Sequence, residues 1–138
     1  MKPLIVMIFS LLTFISCATQ RQQIKSVNGI TEISFGKGGG FTGLTEEYLL
    51  TGKAEVFKIT NGEQTKLNEI TKPEIRSITK QIKDLQFNDL KITETGNMTY
   101  FIEVSAKKYK NRVTWSDTTD TPQLKELYKT LVKTLTVQ

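Results

Sequence analysis

The sequence is short of the side chains that most enzyme sites need. It contains no histidine and a single cysteine, Cys17, among 138 residues. The absence of histidine excludes Ser-His-Asp triads and Cys-His pairs, and with one thiol it also excludes the usual zinc sites. One cysteine cannot form a disulfide within the chain, so the core alone must stabilise the domain. Carboxylate chemistry is the one common catalytic class left open.

The acidic residues show no pattern that identifies a catalytic pair. Adjacent or strand-alternating acids normally point into water, and nothing fixes the separation that a glycosidase needs. The segment "DTTD" lacks the ligand density of a calcium loop, and its last residue is explained as a helix cap. We therefore expect a protein that is not an enzyme and holds no metal or cofactor. The acids considered are Glu46, Glu47, Glu103, Asp117 and Asp120.

The first sixteen residues differ from the rest of the chain. Lys2 gives a positive start, and residues 4–15 carry no charge. This order is typical of an export signal. A helix of twelve residues rises about 18 Å, well short of the roughly 30 Å hydrocarbon core, so the run is too short to span a membrane.

Small residues, Ser16 and Ala18, flank Cys17 at the end of this apolar run. The arrangement resembles the lipobox of bacterial lipoproteins, although Phe14 stands where that family prefers leucine. In the family, the cysteine receives a diacylglyceryl group, the peptide is cut just before it, and the new amino terminus is commonly acylated, for example with palmitate. The resemblance implies lipidation of Cys17. The alternative is an unmodified cysteine in a signal peptide that is cut elsewhere.

A lipidated Cys17 would attach the chain to the cell envelope without spanning the membrane, because two or three acyl chains bind stably. We expect an outer-membrane location facing the periplasm. The domain division is then 1–16 for the signal peptide, 17–26 for the lipidated cysteine with a polar tether, and 27–138 for a single domain. The tether reaches at most roughly 30 Å when extended.

The charge of the chain limits its partners. The formal net charge is +5, and removal of Lys2 with the signal peptide leaves +4. An exported protein rarely meets nucleic acid, so we expect none as a partner. The expected partners are the membrane itself, anionic lipids or glycans, or an envelope protein.

Hydrophobic periodicity predicts an α+β domain. Alternation predicts strands at 30–35, 44–50 and 54–60, with Gly52 supplying a permissive turn backbone. Residues 71–85 predict a helix with a Thr71–Glu74 capping box. A second hairpin follows at 98–106 and in "NRVTWS", and a C-terminal helix starts at Asp120 or Thr121. We predict an antiparallel sheet of about five strands, in the order βββ-α-ββ-α, covered on one face by two helices.

The segments "FGKGGGFTG", "GNMTYFI" and "VTWSD" are similar to those of small, uncharacterised lipoproteins from Bacteroidota-type bacteria. The resemblance spans residues 33–135. It implies an envelope location and this order of elements, and it assigns no chemistry to any residue.

Two motifs resemble enzyme signatures in spacing but not in context. Gly38, Gly40 and Gly43 match G-x-G-x-x-G, which binds dinucleotides only inside a parallel βαβ unit. We expect no nucleotide here and interpret the cluster as a flexible or bulged connection between strands. The functional alternative is a partner-contacting loop in which Phe41 is exposed. Ser77 and Lys80 match S-x-x-K, but the companion motifs are imperfect and the domain is too small.

The strongest candidate surface is "KKYKNR", which we place at the tip of the second hairpin. The ordinary explanation is a solvated tip that discourages edge pairing, and the functional one is a contact to lipid phosphates or an acidic partner. The four cations are Lys107, Lys108, Lys110 and Arg112.

The sequence therefore favours a membrane-anchored, non-enzymatic binding or assembly module. The alternative is a small ligand-binding or carboxylate-dependent hydrolytic envelope domain. Tyr100 and Trp115 discriminate between them: burial makes them core, whereas an open aromatic cleft beside Asp117 favours a ligand site.

Overall fold

A computed structural model describes residues 29–41 and 43–136. They form one antiparallel sheet of six strands with two helices, which confirms the α+β prediction. The strands lie side by side in the order β4-β3-β2-β1-β5-β6. The elements are β1 (Ile30–Gly39), β2 (Thr45–Thr51), β3 (Glu55–Thr60), β4 (Glu63–Glu69), α1 (Lys72–Asp84), a 3₁₀ turn (Phe87–Asp89), β5 (Met98–Ala106), β6 (Lys110–Ser116) and α2 (Pro122–Lys133).

The predicted count of about five strands and the order βββ-α-ββ-α are wrong by one strand, β4. Its sequence, "EQTKLNE", is exposed except at the half-buried Asn68, so it shows no apolar alternation. It forms because Asn61 and Gly62 both take left-handed backbone angles and turn the chain back onto β3. β4 is an edge strand, and its charged side chains discourage pairing with other chains.

β1 is longer than predicted, because part of the glycine cluster belongs to it. Gly36 and Gly38 pair with β2 on one side and with β5 on the other. Gly36 is required for space: a Cβ there would lie 2.0 Å from the carbonyl oxygen of Glu46 and 2.9 Å from the ring of Phe101. The glycines thus allow close packing at the centre of the sheet.

The turn between β2 and β3 differs from prediction. Ala54, and not Gly52, takes the left-handed conformation, with φ of 68°. Gly52 is buried, and its N–H donates to the carbonyl of Thr31 at 2.7 Å. The prediction assigned the permissive backbone to Gly52 because glycine adopts positive φ most readily.

Helix α1 forms as predicted. Thr71 caps it, its hydroxyl accepting from the N–H of Glu74 while the Glu74 carboxylate accepts from the N–H of Thr71. The apolar stripe Ile75, Ile78 and Ile82 is buried against the sheet. α2 contributes Leu124, Leu127 and Leu131 to the same core, so both helices cover one face of the sheet.

Candidate functional site

The structure divides the predicted cationic patch into two parts. Lys107 and Lys108 lie exposed in the turn between β5 and β6, as predicted. Lys110 and Arg112 lie within β6, where their side chains approach Glu103 at 2.9 Å and 3.7 Å. These four cations therefore do not form a single surface.

The side chain of Arg112 contacts neighbouring residues of the sheet. Its guanidinium carbon lies 3.9 Å from the centroid of the Phe101 ring, in a cation–π contact. Phe101 in turn lies against Gly36, on the face of the sheet opposite the helices. The guanidinium of Arg112 is therefore held by two side chains of β5, Glu103 and Phe101.

Lys107 and Lys108 face a groove between the hairpin turn and α1. The groove has a volume of about 1000 Å³, and the residues of the 3₁₀ turn also line it. Asn111 holds this turn in place, since its side-chain amide donates to the carbonyls of Phe87 at 2.7 Å and of Leu90 at 2.9 Å. The 3₁₀ turn that lines the groove is therefore fixed to β6.

The groove has a basic rim. Arg76, Lys80 and Lys83 of α1 line one wall, and Lys107 and Lys108 of the hairpin turn line another. Lys80 pairs with Asp84. Within the part of the chain that the structure describes, the other four cations form no ion pair.

The floor of the groove is apolar, and one carboxylate lines it. Ile30, Ile82 and Phe87 are buried at its base. Tyr109 is half-buried and also lines the groove, and this burial raises the pKa of its phenol. Asp89 is the acidic residue of the lining. The groove thus combines an apolar base with an excess of positive charge, which suits an anionic ligand that also has apolar parts.

The sequence did not identify Arg76 and Lys83 as site residues. Their spacing with Lys80, at i, i+4 and i+7, places all three on one side of a helix, and this signal was available. The sequence could not show that this side of α1 faces the hairpin turn, because that proximity depends on the packing of α1 across the sheet.

Phe41 lies at the other end of the sheet. It is fully exposed, and Leu44 beside it is 72% exposed. The loop joins β1 and β2, which are antiparallel, so no helix begins at Gly43 as the dinucleotide fingerprint requires. The expected absence of nucleotide binding remains a prediction, and Phe41 remains a candidate partner contact.

The aromatic residues near Asp117 belong to the core. Trp115 is 1% exposed, and Tyr100 stacks on it with ring centroids 5.8 Å apart. Tyr128 closes the cluster from α2, at 5.4 Å from Tyr100 and 5.5 Å from Trp115. Burial, together with nearby tyrosines and Glu46, raises the pKa of Tyr128 to about 12. This arrangement is hydrophobic packing and not the open cleft that would favour a ligand site.

The other candidate groups are dispersed. Ser77 is exposed on α1, and Lys80 of the same motif pairs with Asp84, so both lie on the outer side of the helix or at its edge. Among residues 29–41 and 43–136, no group of three or more His, Cys, Asp or Glu side chains could hold a metal ion. Cys17 lies outside the described residues.

No helix among the described residues is long and apolar enough to cross a membrane. The chain matches no protein-family model, and no curated protein is significantly similar to it.

Proposed function

We propose that the protein is a lipid-anchored, non-enzymatic binding module of the bacterial cell envelope, and that the groove between α1 and the β5–β6 turn is its binding site. The observation that carries this proposal is a set of four cations that line the groove above an apolar floor and form no ion pair among the described residues: Arg76, Lys83, Lys107 and Lys108. Cations on α1 and on the hairpin turn attract an anionic partner, and Asp89 is the one carboxylate of the lining.

The position of the groove supports its link to the anchor. Gly29, the first described residue, lines the groove, and its carbonyl accepts from the N–H of Lys107 at 2.9 Å. Eleven residues separate Cys17 from Gly29, so the connection extends at most about 40 Å. A lipid on Cys17 would keep this end of the domain close to the outer membrane, on its periplasmic side.

The chemistry of the chain supports a binding role over catalysis. The sequence offers no histidine to act as a base near neutral pH. The pKa values of Tyr109 and Tyr128 are raised, which moves both phenols further from proton transfer at neutral pH. The module would thus act through contacts, as an assembly factor or an adaptor.

Lysine labelling in intact envelopes tests this proposal. An amine-reactive reagent is applied to envelopes and to detergent-released protein, and mass spectrometry measures the modification rate at each lysine. We expect Lys107, Lys108 and Lys83 to react several-fold more slowly in envelopes, because a ligand covers them. Lys58 and Lys133, which are exposed on β3 and α2, serve as references and should react alike in both samples. Equal rates at the groove lysines in both samples would contradict the proposal.

A further inference from the structure

We propose that the ligand of the groove is the anionic phospholipid surface of the bilayer that holds the tether, so that the domain lies on the membrane with this end down. The inference rests on the proposed function, because it names the ligand of the same site. It makes the groove a second membrane contact, which fixes the orientation of the domain on the bilayer.

The first residue that the structure describes lies at the groove. This residue, Gly29, lines the groove, and its carbonyl accepts from the N–H of Lys107. The loop that carries Phe41 follows the opposite end of the ten-residue strand β1, roughly 30 Å away. The groove is therefore at the end of β1 that is nearer in sequence to Cys17, and the loop that carries Phe41 is at the far end.

The positive charge of the groove is distributed over two elements. The unpaired cations come from two elements, with Arg76 and Lys83 on α1 and Lys107 and Lys108 on the turn. A layer of headgroups presents many phosphates at once and can engage both walls, whereas a single free phosphate is much smaller than a groove of about 1000 Å³. Each lysine or arginine close to an anionic leaflet strengthens attachment by about 5-fold.

Tyr109 adds an amphipathic side chain to the groove. It stands at the hairpin end between Lys108 and Lys110, with its ring half-buried. An aromatic ring with a polar tip suits the boundary between headgroups and hydrocarbon.

Vesicle reconstitution tests the inference. The full chain is purified from membranes and placed in phosphatidylcholine vesicles with or without phosphatidylglycerol, and the labelling rate of Lys80 reports on the groove. A chain that proves to carry no lipid is added to the same vesicles from solution, so the readout does not depend on the anchor. The site variant combines Lys83→Ser, Lys107→Ser and Lys108→Ser. The matched control removes three cations of α2 by Lys125→Ser, Lys129→Ser and Lys133→Ser.

We expect phosphatidylglycerol to slow labelling of Lys80 by about tenfold relative to Lys58. The site variant should weaken docking by roughly 100-fold and abolish this slowing, and the control should keep it. Salt should also remove it, because the Debye length falls from about 10 Å at 0.1 M to about 3 Å at 1 M.

Four results would overturn the inference. Equal labelling on both kinds of vesicle, or slowing that survives in the site variant, removes the lipid surface as the ligand. Slowing by soluble glycerol phosphate on phosphatidylcholine vesicles identifies a free phosphate as the ligand instead. Protection seen in native envelopes but not on phosphatidylglycerol vesicles assigns the groove to an acidic protein, and in that case the proposed function stands while the lipid surface does not.

Discussion

Ile78 is the residue on which the packing of α1 depends most clearly. It has no exposed surface, and it lies in the stripe that joins α1 to the sheet. Ile78→Asp should destabilise the domain by several kcal/mol, because an unpaired carboxylate would be buried. Against a total stability of about 5–15 kcal/mol, this leaves little or no folded protein.

Thermal denaturation followed by circular dichroism measures the effect. Ser77→Asp is the control, because Ser77 is the exposed neighbour on the same helix. It should change the melting temperature little. A parent-like melting temperature for Ile78→Asp would show that the face assigned to α1 is wrong.

At the scale of residues, the sequence predicts which side chains are buried better than it predicts what polar side chains do. Ile75, Ile78 and Ile82 follow the helical period, and the structure buries all three. Arg112 gave no comparable signal, because its partners Glu103 and Phe101 depend on the pairing of β5 with β6 and on the face to which each residue points. The sequence likewise could not show that Lys107 lies in the turn while Lys110 lies in β6 and pairs with Glu103.

At the scale of elements, α1 is well predicted because its signals are local. The capping box that begins it involves residues only three apart, and its period is uninterrupted. β4 is poorly predicted because an exposed edge strand has no buried face to impose alternation. The turn at Asn61 and Gly62 is its clearest signal in the sequence, and it indicates a reversal but not the length of the strand that follows.

Thr71→Ala tests the capping box and its dependence on pH. At pH 7 we expect a loss of about 1 kcal/mol, or about 4 °C in melting temperature. Hydrogen bonds from the hydroxyl and then the backbone of Thr71 lower the pKa of Glu74, so this stabilisation is present above the unfolded-state pKa and is lost as pH falls through the folded-state value.

The difference in melting temperature between the parent and Thr71→Ala should therefore shrink between about pH 5 and pH 3. Melting curves collected across this range measure it. Glu74→Gln removes the titrating group, and in that background the effect of Thr71→Ala should vary much less with pH. A difference that is constant or grows on acidification would exclude the ionised capping box as its cause.

At the scale of the whole molecule, the two ends of the sheet differ in chemistry. One end has the basic groove and the entry of the chain at Gly29, and the other has the exposed Phe41. The sequence predicts the hairpin turn and the loop that carries Phe41. It cannot place α1 beside the turn, because more than a dozen residues separate α1 from β5. The groove depends on this tertiary contact, so the sequence did not show that the cations of α1 and those of the hairpin turn belong to one site.

The mass of the mature chain recovered from membranes tests the lipid anchor, on which the account of the whole molecule depends. We predict a chain that begins at Cys17 and carries a diacylglyceryl group, with a further acyl chain where the amino terminus is modified. In Cys17→Ser, the unprocessed precursor should accumulate and the lipid-modified form should be absent. A soluble, unacylated mature chain that begins at any other residue would contradict the account.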